Sequence, residues 1–155
     1  MAQLPFQYKE KVGNEWVDYN GHMNDAAYAN VFSQATDHFI DYLGLTEDVR
    51  MQQHYTIFTL ETHICYLKEM HEHDRLTVDV QLLDRDAKRL HAFLSMSNSS
   101  GELAATSEQM WMGMDTASGK PAPFPTAIVD LVETLYAEHQ KLPIPKQAGR
   151  KIGFR

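Results

Sequence analysis

The chain has 155 residues, of which 43% are apolar and 23% charged, as is typical of a soluble globular protein. Its formal net charge of −7 argues against a nucleic-acid partner held by bulk electrostatics. No apolar run approaches the roughly 18 residues of a membrane span, no signal-peptide core is visible, and the single cysteine, Cys65, excludes an internal disulfide. We therefore expect a cytoplasmic protein that does not enter a membrane, with residues 1–155 forming one domain.

The first elements expected along the chain are a short strand and a long helix. Residues 6–13 suit an edge strand. From residue 25 to residue 43, apolar side chains recur at three- and four-residue spacing, which predicts one buried helix face. Asn24 is a suitable N-cap, Asp25 suits the first helical turn, and Gly44 stands where a glycine ends many helices.

A β-rich block follows, in which apolar and polar residues alternate. This alternation predicts strands at residues 54–67, 75–84, 89–97 and 103–115. The side chains expected on one side of the first of these strands are Phe58, Leu60, Ile64 and Tyr66. A second helix is expected near residues 126–139, and an extended tail over residues 141–155. The fold class is therefore α+β, with a long early helix packed on an antiparallel sheet and a further helix near the end.

The most informative stretch is WVDYNGHMNDAAY at residues 16–28, directly before the long helix. A glycine allows a sharp turn three residues after Asp18, and free amides around Asn24 and Asp25 point out of the positive helix start. Such amides can stabilise the oxyanion of a thioester or ester carbonyl, while a neighbouring carboxylate attacks the carbon or deprotonates water. The pattern indicates acyl transfer to water. Alternatively, Asp18 only caps a turn and His22 is structural, and spacing alone does not decide between the two interpretations.

A second candidate lies on the first long strand, where Glu61 and His63 are two residues apart and so share one side. These side chains could assist Asp18, or the carboxylate could meet a cationic acyl group. The alternative is a mutual hydrogen bond at a contact between subunits.

Metal binding is not predicted. The segment MHEHD (70–74) offers His71, His73 and Asp74 as possible ligands. A turn before a strand nevertheless favours a solvated polar loop, so we expect no bound metal.

The motif DYNGHMNDAAY resembles the N-terminal signature of hotdog-fold acyl-CoA thioesterases of the 4-hydroxybenzoyl-CoA thioesterase type. Further segments, among them YTIFTLETHICYL, RDAKRLHAFL and AGRKIG, are similar to betainyl-CoA thioesterases of carnitine breakdown and to the thioesterase domain of some L-carnitine dehydrogenase fusions. The resemblance implies a hotdog fold and hydrolysis of a small acyl-CoA, with betainyl-CoA the favoured substrate. Coenzyme A would enter only as part of the substrate, so no cofactor is expected. The alternatives are a generic or aromatic acyl-CoA thioesterase, or a non-catalytic module that binds acyl-CoA or a trimethylammonium ligand.

The resemblance also implies roles for individual residues and an assembly. Asp18 matches the family's catalytic carboxylate, as base or nucleophile. Backbone amides near Asn24 and Asp25 match the helix start that polarises the carbonyl, and His22 and Asn24 match positions that shape the loop. A homodimer or homotetramer is implied, with active sites between subunits.

Selectivity for a betainyl group would require aromatic faces and a negative charge, because a trimethylammonium group donates no hydrogen bonds. The aromatic candidates are Trp16, Tyr19, Tyr28 and Trp111, although each of them could instead fill the core. Glu61 is the candidate counter-charge, and His22 and His63 complete the predicted substrate-binding set.

The phosphates of coenzyme A require basic side chains, and these cluster around one turn. The predicted coenzyme A-binding residues are Arg85, Lys88, Arg89 and His91. The alternative is that this stretch is only a solvated turn.

Overall fold

A computed structural model describes residues 5–154 of the chain. Its elements, in chain order, are β1 (Gln7–Lys11), α1 (Asp25–Tyr42), α2 (Glu47–Gln53), β2 (Tyr55–Tyr66), β3 (Arg75–Arg85), β4 (Arg89–Asn98), β5 (Leu103–Asp115), β6 (Lys120–Pro121) and α3 (Thr126–His139). The strands form an antiparallel sheet in the order β1-β3-β4-β5-β2, and β6 pairs with the end of β5. Within the described residues, no helix is both long enough and apolar enough to cross a membrane.

Helix α1 forms where the sequence predicts it, and both of its ends have the expected residues. Oδ1 of Asn24 accepts a hydrogen bond from the Ala27 amide at 2.9 Å, which makes Asn24 the N-cap. Gly44 follows the last turn with φ +97°, a conformation that glycine adopts without strain. The predicted apolar face of the helix is buried throughout. The helix prediction is therefore confirmed at both ends and along its buried face.

The long strands and α3 lie within two residues of their predicted bounds, whereas three short elements escape sequence periodicity. These are a 3-10 turn at Asn14–Trp16, helix α2 and strand β6. The seven residues of α2 make only two helical turns, and the two residues of β6 are too few to alternate. Neither element therefore has a periodic pattern that the sequence could show. Helix α2 still has a local signal, because the Thr46 side chain accepts a hydrogen bond from the Val49 amide.

The predicted apolar row on β2 is wrong at its first half. A register shift at Leu60 interrupts the pairing with β5, so that Phe58 lies opposite Met112 and Glu61 lies opposite Met110. Because Met110 and Met112 are two residues apart on one strand, Phe58 and Glu61 share one side of the sheet. Phe58 is 52% exposed and Leu60 is 50% exposed. The bulge thus interrupts the apolar row that is expected on one side of β2, and the first two residues of that row are half exposed.

The two sides of the sheet differ in polarity. The inner face packs against α1, and here Trp111 of β5 lies 5.8 Å from the ring of Phe39. The alternating apolar residues of β3 and β4 complete this core as predicted. The outer face carries polar side chains on neighbouring strands, namely Glu61, His63, His91 and Glu108.

Helix α3 covers the part of β3 that extends beyond β1. Strand β1 pairs with residues 75–79 of β3, and no other strand within residues 5–154 pairs with the rest of that edge. There, Nδ1 of His139 accepts a hydrogen bond from the Leu82 amide at 2.9 Å. The apolar side chains that α3 adds to the core are Ile128, Val132 and Leu135. The helix therefore supplies both an acceptor and apolar cover to an edge that would otherwise stay unpaired.

Candidate active site at the start of helix α1

Asp18 begins a tight turn over residues 18–22, called here the Asp18 turn. The Asp18 amide donates to His22 O and the Gly21 amide donates to Asp18 O, each at 2.9 Å. Oδ1 of Asp18 accepts from the amides of Asn20 at 2.8 Å and His22 at 3.2 Å. Gly21 has φ +76°, which a side chain with a Cβ would oppose. Among residues 5–154, Oδ2 of this exposed carboxylate has no hydrogen-bond donor, so it is available to a bound molecule.

The start of α1 offers two backbone amides without an acceptor. Asn24 is not one of them, because its amide donates to Trp16 O at 2.9 Å and its side-chain Nδ2 donates to the same oxygen at 3.1 Å. In the part of the chain that the structure describes, the amides of Asp25 and Ala26 have no acceptor. They stand at the positive end of an 18-residue helix and can stabilise an oxyanion. Of the two predicted positions, the Asp25 amide is therefore free and the Asn24 amide is not, while the Ala26 amide joins the candidate donors and Asn24 positions both.

An open cavity of about 310 Å³ lies at this helix start and is called here the α1-start cavity. Its lining residues are Met23, Asp25, Tyr28, Tyr66, Leu67, Lys68 and Glu69. The rings of Tyr28 and Tyr66 meet edge to face with centroids 5.2 Å apart. The Tyr66 hydroxyl donates to Asp25 O at 3.3 Å, and the Tyr28 hydroxyl accepts from the Met70 amide at 3.1 Å. The cavity therefore combines aromatic surface with the carboxylates of Asp25 and Glu69.

Both tyrosines of this cavity remain protonated near neutral pH. Burial raises the pKa of Tyr28, an effect partly opposed by the hydrogen bond from the Met70 amide. Burial also raises the pKa of Tyr66, and the negative charge of Asp25 adds to the increase. The two phenols can contribute aromatic surface and a hydroxyl donor, and they cannot serve as bases.

Asp18 stands at the edge of this arrangement and is not among the residues that line the cavity. It follows Val17, which pairs with the lining residue Met23 across the Asp18 turn. The arrangement can hold a carbonyl oxygen at the helix start, accept a cationic group against the tyrosines, and present a carboxylate from the neighbouring turn.

Of the four predicted aromatic residues, only Tyr28 lines the cavity. Trp111 is 0% exposed and its Nε1 donates to Gln109 Oε1 at 2.7 Å, so within one chain it is a core residue that does not reach the cavity. Trp16 packs against the core, and its carbonyl holds the N-cap of α1. Tyr19 is 97% exposed at the tip of the Asp18 turn, where only another molecule could cover it.

Glu61, His63 and His91 meet at a different place, a cavity of about 490 Å³ on the outer face. There, His91 Nε2 lies 2.6 Å from Glu108 Oε2, and the Gly149 amide donates to Glu108 Oε1 at 2.7 Å. None of these residues lines the α1-start cavity. Within one chain, the structure therefore does not join Glu61 and His63 to Asp18.

The basic residues predicted to bind coenzyme A do not form one free cationic patch. Arg85 donates to both carboxylate oxygens of Glu133, at 2.9 and 2.7 Å, and its guanidinium lies 4.0 Å from the ring centroid of Tyr136. Arg89 pairs with Asp86 at 2.6 Å, and His91 pairs with Glu108 as described above. Arg85 therefore anchors α3, and its contact with coenzyme A stays a prediction. The Lys88 side chain alone of the four is without a partner in the described part of the chain.

Sequence reasoning identifies only Asp25 and Tyr28 among the seven lining residues of the α1-start cavity, and the missed residues include Tyr66 and Glu69. Tyr66 reads as one apolar residue of an alternating strand, and Glu69 reads as one acid in a polar loop. The available signal is indirect: Tyr66 ends β2 on the inner face, opposite Ala105, where it reaches the first turns of α1. Only the packing of β2 against the helix brings the two tyrosines together.

Comparison with known proteins agrees with a site for acyl transfer. Residues 12–132 match the family model described as the thioesterase-like superfamily. The chain is 41% identical to the betainyl-CoA thioesterase of Pseudomonas aeruginosa, over 99% of this chain and 98% of that protein. It is 38% identical to the L-carnitine dehydrogenase/betainyl-CoA thioesterase of Agrobacterium fabrum, over 97% of this chain and 31% of that longer protein.

A solved structure provides an independent comparison of the fold. A Staphylococcus aureus protein determined in complex with CoA superposes with a TM-score of 0.93 at 34% identity, over 100% of this chain and 99% of that one. The long helix, the antiparallel sheet and the late helix are therefore shared along the whole chain, which confirms the predicted α+β class.

Proposed function

The chain belongs to the thioesterase-like superfamily and has the hotdog fold, and on this premise we propose that it hydrolyses betainyl-CoA to betaine and coenzyme A. The observation that carries the proposal is the α1-start cavity, where free amides, paired aromatic rings and carboxylates come together. Full-length similarity to a betainyl-CoA thioesterase supports this choice over an aromatic acyl group or a non-catalytic module.

The acyl group proposed for this cavity is cationic and carries no hydrogen-bond donor. Its methyl groups spread positive charge that the faces of Tyr28 and Tyr66 can attract. The carboxylates of Asp25 and Glu69 line the same cavity and supply negative charge. A neutral acyl group of the same shape would gain the contact area without this electrostatic attraction.

The proposed reaction uses the helix start for the carbonyl and the Asp18 turn for the attack. The amides of Asp25 and Ala26 hold the carbonyl oxygen as it becomes negative. Oδ2 of Asp18 either takes a proton from the attacking water or attacks the carbonyl carbon itself. In the general-base route, the C–O bond to water replaces the C–S bond, and the proton taken by Asp18 passes to the departing thiolate. In the nucleophilic route, a C–O bond to Asp18 replaces the C–S bond and the thiolate takes a proton from solvent. Water then hydrolyses the resulting anhydride, which releases betaine and restores the Asp18 carboxylate.

We also propose that the chain works as a homodimer joined through β2. This strand has 12 residues and is the last strand of the sheet, with Phe58 and Leu60 half exposed along it. A long, apolar and unpaired edge favours pairing with a second copy. Such pairing would also give the exposed Asp18 and Tyr19 a neighbouring surface. Light scattering after size exclusion tests this, and a particle of one 17.8 kDa chain at micromolar concentration would contradict it.

The decisive experiment measures thiol release from a panel of CoA thioesters with the wild type, Asp18→Asn and Asp37→Asn. An asparagine at position 18 can still accept from the amides of Asn20 and His22, so the Asp18 turn should keep its shape. We expect kcat to fall by about 10²- to 10⁴-fold, as for loss of a general base. Asp37→Asn removes another exposed carboxylate from α1 and should leave kcat unchanged.

The outcomes separate the two classes of function. Release of thiol by the wild type and Asp37→Asn but not by Asp18→Asn supports hydrolysis, and fastest turnover of betainyl-CoA supports the substrate. If the wild type binds the thioesters but releases thiol from none of them, the protein is a binding module and the hydrolase proposal is wrong.

A further inference from the structure

Two histidines that are far apart in the sequence face each other beside the α1-start cavity. His22 ends the Asp18 turn, and His71 follows the loop at residues 67–70. The two residues form an isolated antiparallel β-bridge, which directs their side chains to the same side. Their rings lie 4.9 Å apart between centroids at an interplanar angle of 79°. From this pair and the neighbouring Glu69, we propose a Zn²⁺ site formed by His22, Glu69 and His71.

The three side chains already converge. Nδ1 of His22 lies 3.6 Å from Oε2 of Glu69, and one ligand atom from each of the three residues lies within 4.8 Å of the others. Tetrahedral Zn²⁺ with bonds of about 2.0–2.1 Å would need these atoms about 3.3–3.5 Å apart. All three side chains are at least partly exposed, so rotation about side-chain bonds can close the remaining distance without moving the backbone.

The backbone around the site is held independently of any ion. The Met23 amide donates to Met70 O at 2.8 Å, and the Glu72 amide donates to Gly21 O at 3.1 Å. These bonds flank the β-bridge on both sides and fix the two segments that carry the ligands. A preformed backbone of this kind lowers the ordering cost of binding, because only side chains need to be immobilised.

The ligand set determines the class of metal. Two imidazoles and one carboxylate form the three-ligand set that binds Zn²⁺ with a fourth position left to water. Asp74 adds a second carboxylate, since its Oδ2 lies 3.6 Å from Nδ1 of His71 and accepts from the His71 amide at 2.8 Å. At 3.6 Å this carboxylate does not hydrogen-bond the imidazole, but through the amide bond it holds the backbone that carries His71.

Ordinary ion pairing does not account for the arrangement equally well. At 3.6 Å the His22–Glu69 contact is too long for a hydrogen bond, and an exposed pair of this kind contributes little to stability. The edge-to-face contact of the two imidazoles supplies no hydrogen bond to either ring, whereas a shared cation could bind a nitrogen of each.

The sequence does not predict this site, because its proposed ligands come from two segments that are far apart in the chain. The segment MHEHD suggests His71, His73 and Asp74, yet His73 pairs with Glu72 at 3.2 Å and is not a member of the cluster. His22 lies in the helix-start motif, and only the β-bridge brings it to His71. A bound ion would tie the turn that carries Asp18 to the loop that carries Glu69, and it would leave Asp25 to supply the negative charge of the α1-start cavity.

The test titrates chelator-treated full-length protein with ZnCl₂ in competition with a chromophoric chelator, and with Co²⁺ as a visible-absorption probe. We expect about one Zn²⁺ per chain and strong four-coordinate Co²⁺ absorption. The variants His22→Asn and His71→Asn should each weaken Zn²⁺ binding by about tenfold or more, since each loses a direct ligand. Glu69→Gln should also weaken binding.

His73→Asn is the matched control. His73 has φ 75°, which asparagine tolerates, so the substitution removes a neighbouring imidazole without straining the loop. It should leave Zn²⁺ affinity unchanged. Thermal unfolding without metal shows whether each variant is folded before its affinity is interpreted. Equal affinities in His22→Asn, His71→Asn and His73→Asn, or loss of binding only in His73→Asn, would overturn the proposed site.

Discussion

Helix α1 carries two polar regions, one beneath its middle and one at its start, and they differ in how their hydrogen bonds are completed. Beneath the middle, Thr36 faces the buried strand residues Ser107, Gln109 and Trp111. At the start, Asp25 and Ala26 face solvent next to the Asp18 turn. The same helix therefore contacts a buried polar cluster at Thr36 and an exposed one at Asp25, about three turns apart.

The region beneath the middle of α1 is closed. Gln109 Oε1 accepts from Trp111 Nε1 at 2.7 Å and lies 3.1 Å from the Thr36 hydroxyl, while its Nε2 donates to Ser107 Oγ at 2.9 Å. Every polar side-chain atom of Gln109 thus has a partner inside the chain, as burial demands. Such a cluster fixes the register of β5 against the helix and has no capacity for a ligand.

The region at the start of α1 is open. Its two free amides, the free Oδ2 of Asp18 and the carboxylate of Glu69 all retain hydrogen-bonding capacity. Water can satisfy these atoms at little cost, so the fold tolerates them, and a substrate can replace the water. In this chain, the polar groups of the candidate site thus keep hydrogen-bonding capacity at an exposed surface, whereas those beneath the helix are completed inside the protein.

The largest effect on stability is expected from opening the closed region with Gln109→Ala. The substitution leaves a cavity and removes the partners of Trp111 Nε1 and Ser107 Oγ. We expect the free energy of unfolding to fall by about 3 kcal/mol, as is typical when buried polar groups lose their partners. Urea denaturation measures this change.

The control for this prediction is Gln52→Ala, which truncates an exposed glutamine of α2 and should change the free energy of unfolding by less than about 0.5 kcal/mol. If both variants lose the same small amount, the buried cluster is not a structural unit. The kcat of the folded Gln109→Ala fraction should stay close to that of the wild type, because Gln109 does not line the α1-start cavity.

A smaller effect, on selectivity, is expected from Tyr66→Leu in the open region. Loss of one aromatic face should lower the preference for betainyl-CoA over the uncharged isostere 3,3-dimethylbutyryl-CoA by about fivefold, equivalent to about 1 kcal/mol of cation–π attraction. The ratio of the two kcat/KM values measures it. Tyr66→Phe keeps the ring and should retain the preference, although the hydroxyl bond to Asp25 O is lost. An unchanged ratio in Tyr66→Leu would remove Tyr66 from the substrate site.

Much of the fold follows from local patterns in the sequence. The apolar period of α1, its Asn24 cap and its Gly44 stop each depend on neighbouring residues, and all three are confirmed. The Asp18 motif lies at the helix start for the same local reason. The bulge at Leu60 was not predictable, because it depends on how β2 pairs with β5 and not on β2 alone.

Sequence patterns do not reveal which candidate side chains are occupied by a partner that is distant in the chain. The sequence does not show that Trp111 lies buried on the inner face of β5. Nor does it show that Arg85 donates to Glu133 of α3, which lies 48 residues further along the chain. Tyr66 becomes a site residue only through its contact with Tyr28. Sequence patterns thus identify the segment that carries the site, whereas tertiary contacts determine which side chains remain free to act.

His139 differs from both polar regions, because its side chain is buried and yet one of its ring nitrogens has no hydrogen-bond partner within residues 5–154. Its Nδ1 accepts from the Leu82 amide, while its Nε2 is buried and has no hydrogen-bond partner in the described part of the chain. Burial disfavours the charged imidazolium and lowers the pKa of His139, and the nearby charge of Glu138 opposes this only in part. The folded state therefore holds a neutral imidazole that the unfolded state can protonate.

The smallest expected effect on the free energy of unfolding at neutral pH comes from this imidazole. The effect increases as the pH falls. Below its unfolded pKa of about 6.5, His139 binds a proton more readily in the unfolded chain than in the folded one, so the free energy of unfolding falls as pH falls. Urea denaturation between pH 8 and pH 5 should show a steeper loss for the wild type than for His139→Gln, whose amide oxygen can still accept from Leu82. His38→Gln, which alters an exposed histidine of α1, should keep the wild-type slope. Parallel curves for the wild type and His139→Gln would mean that the buried Nε2 has found a partner, and that His139 belongs with the closed region after all.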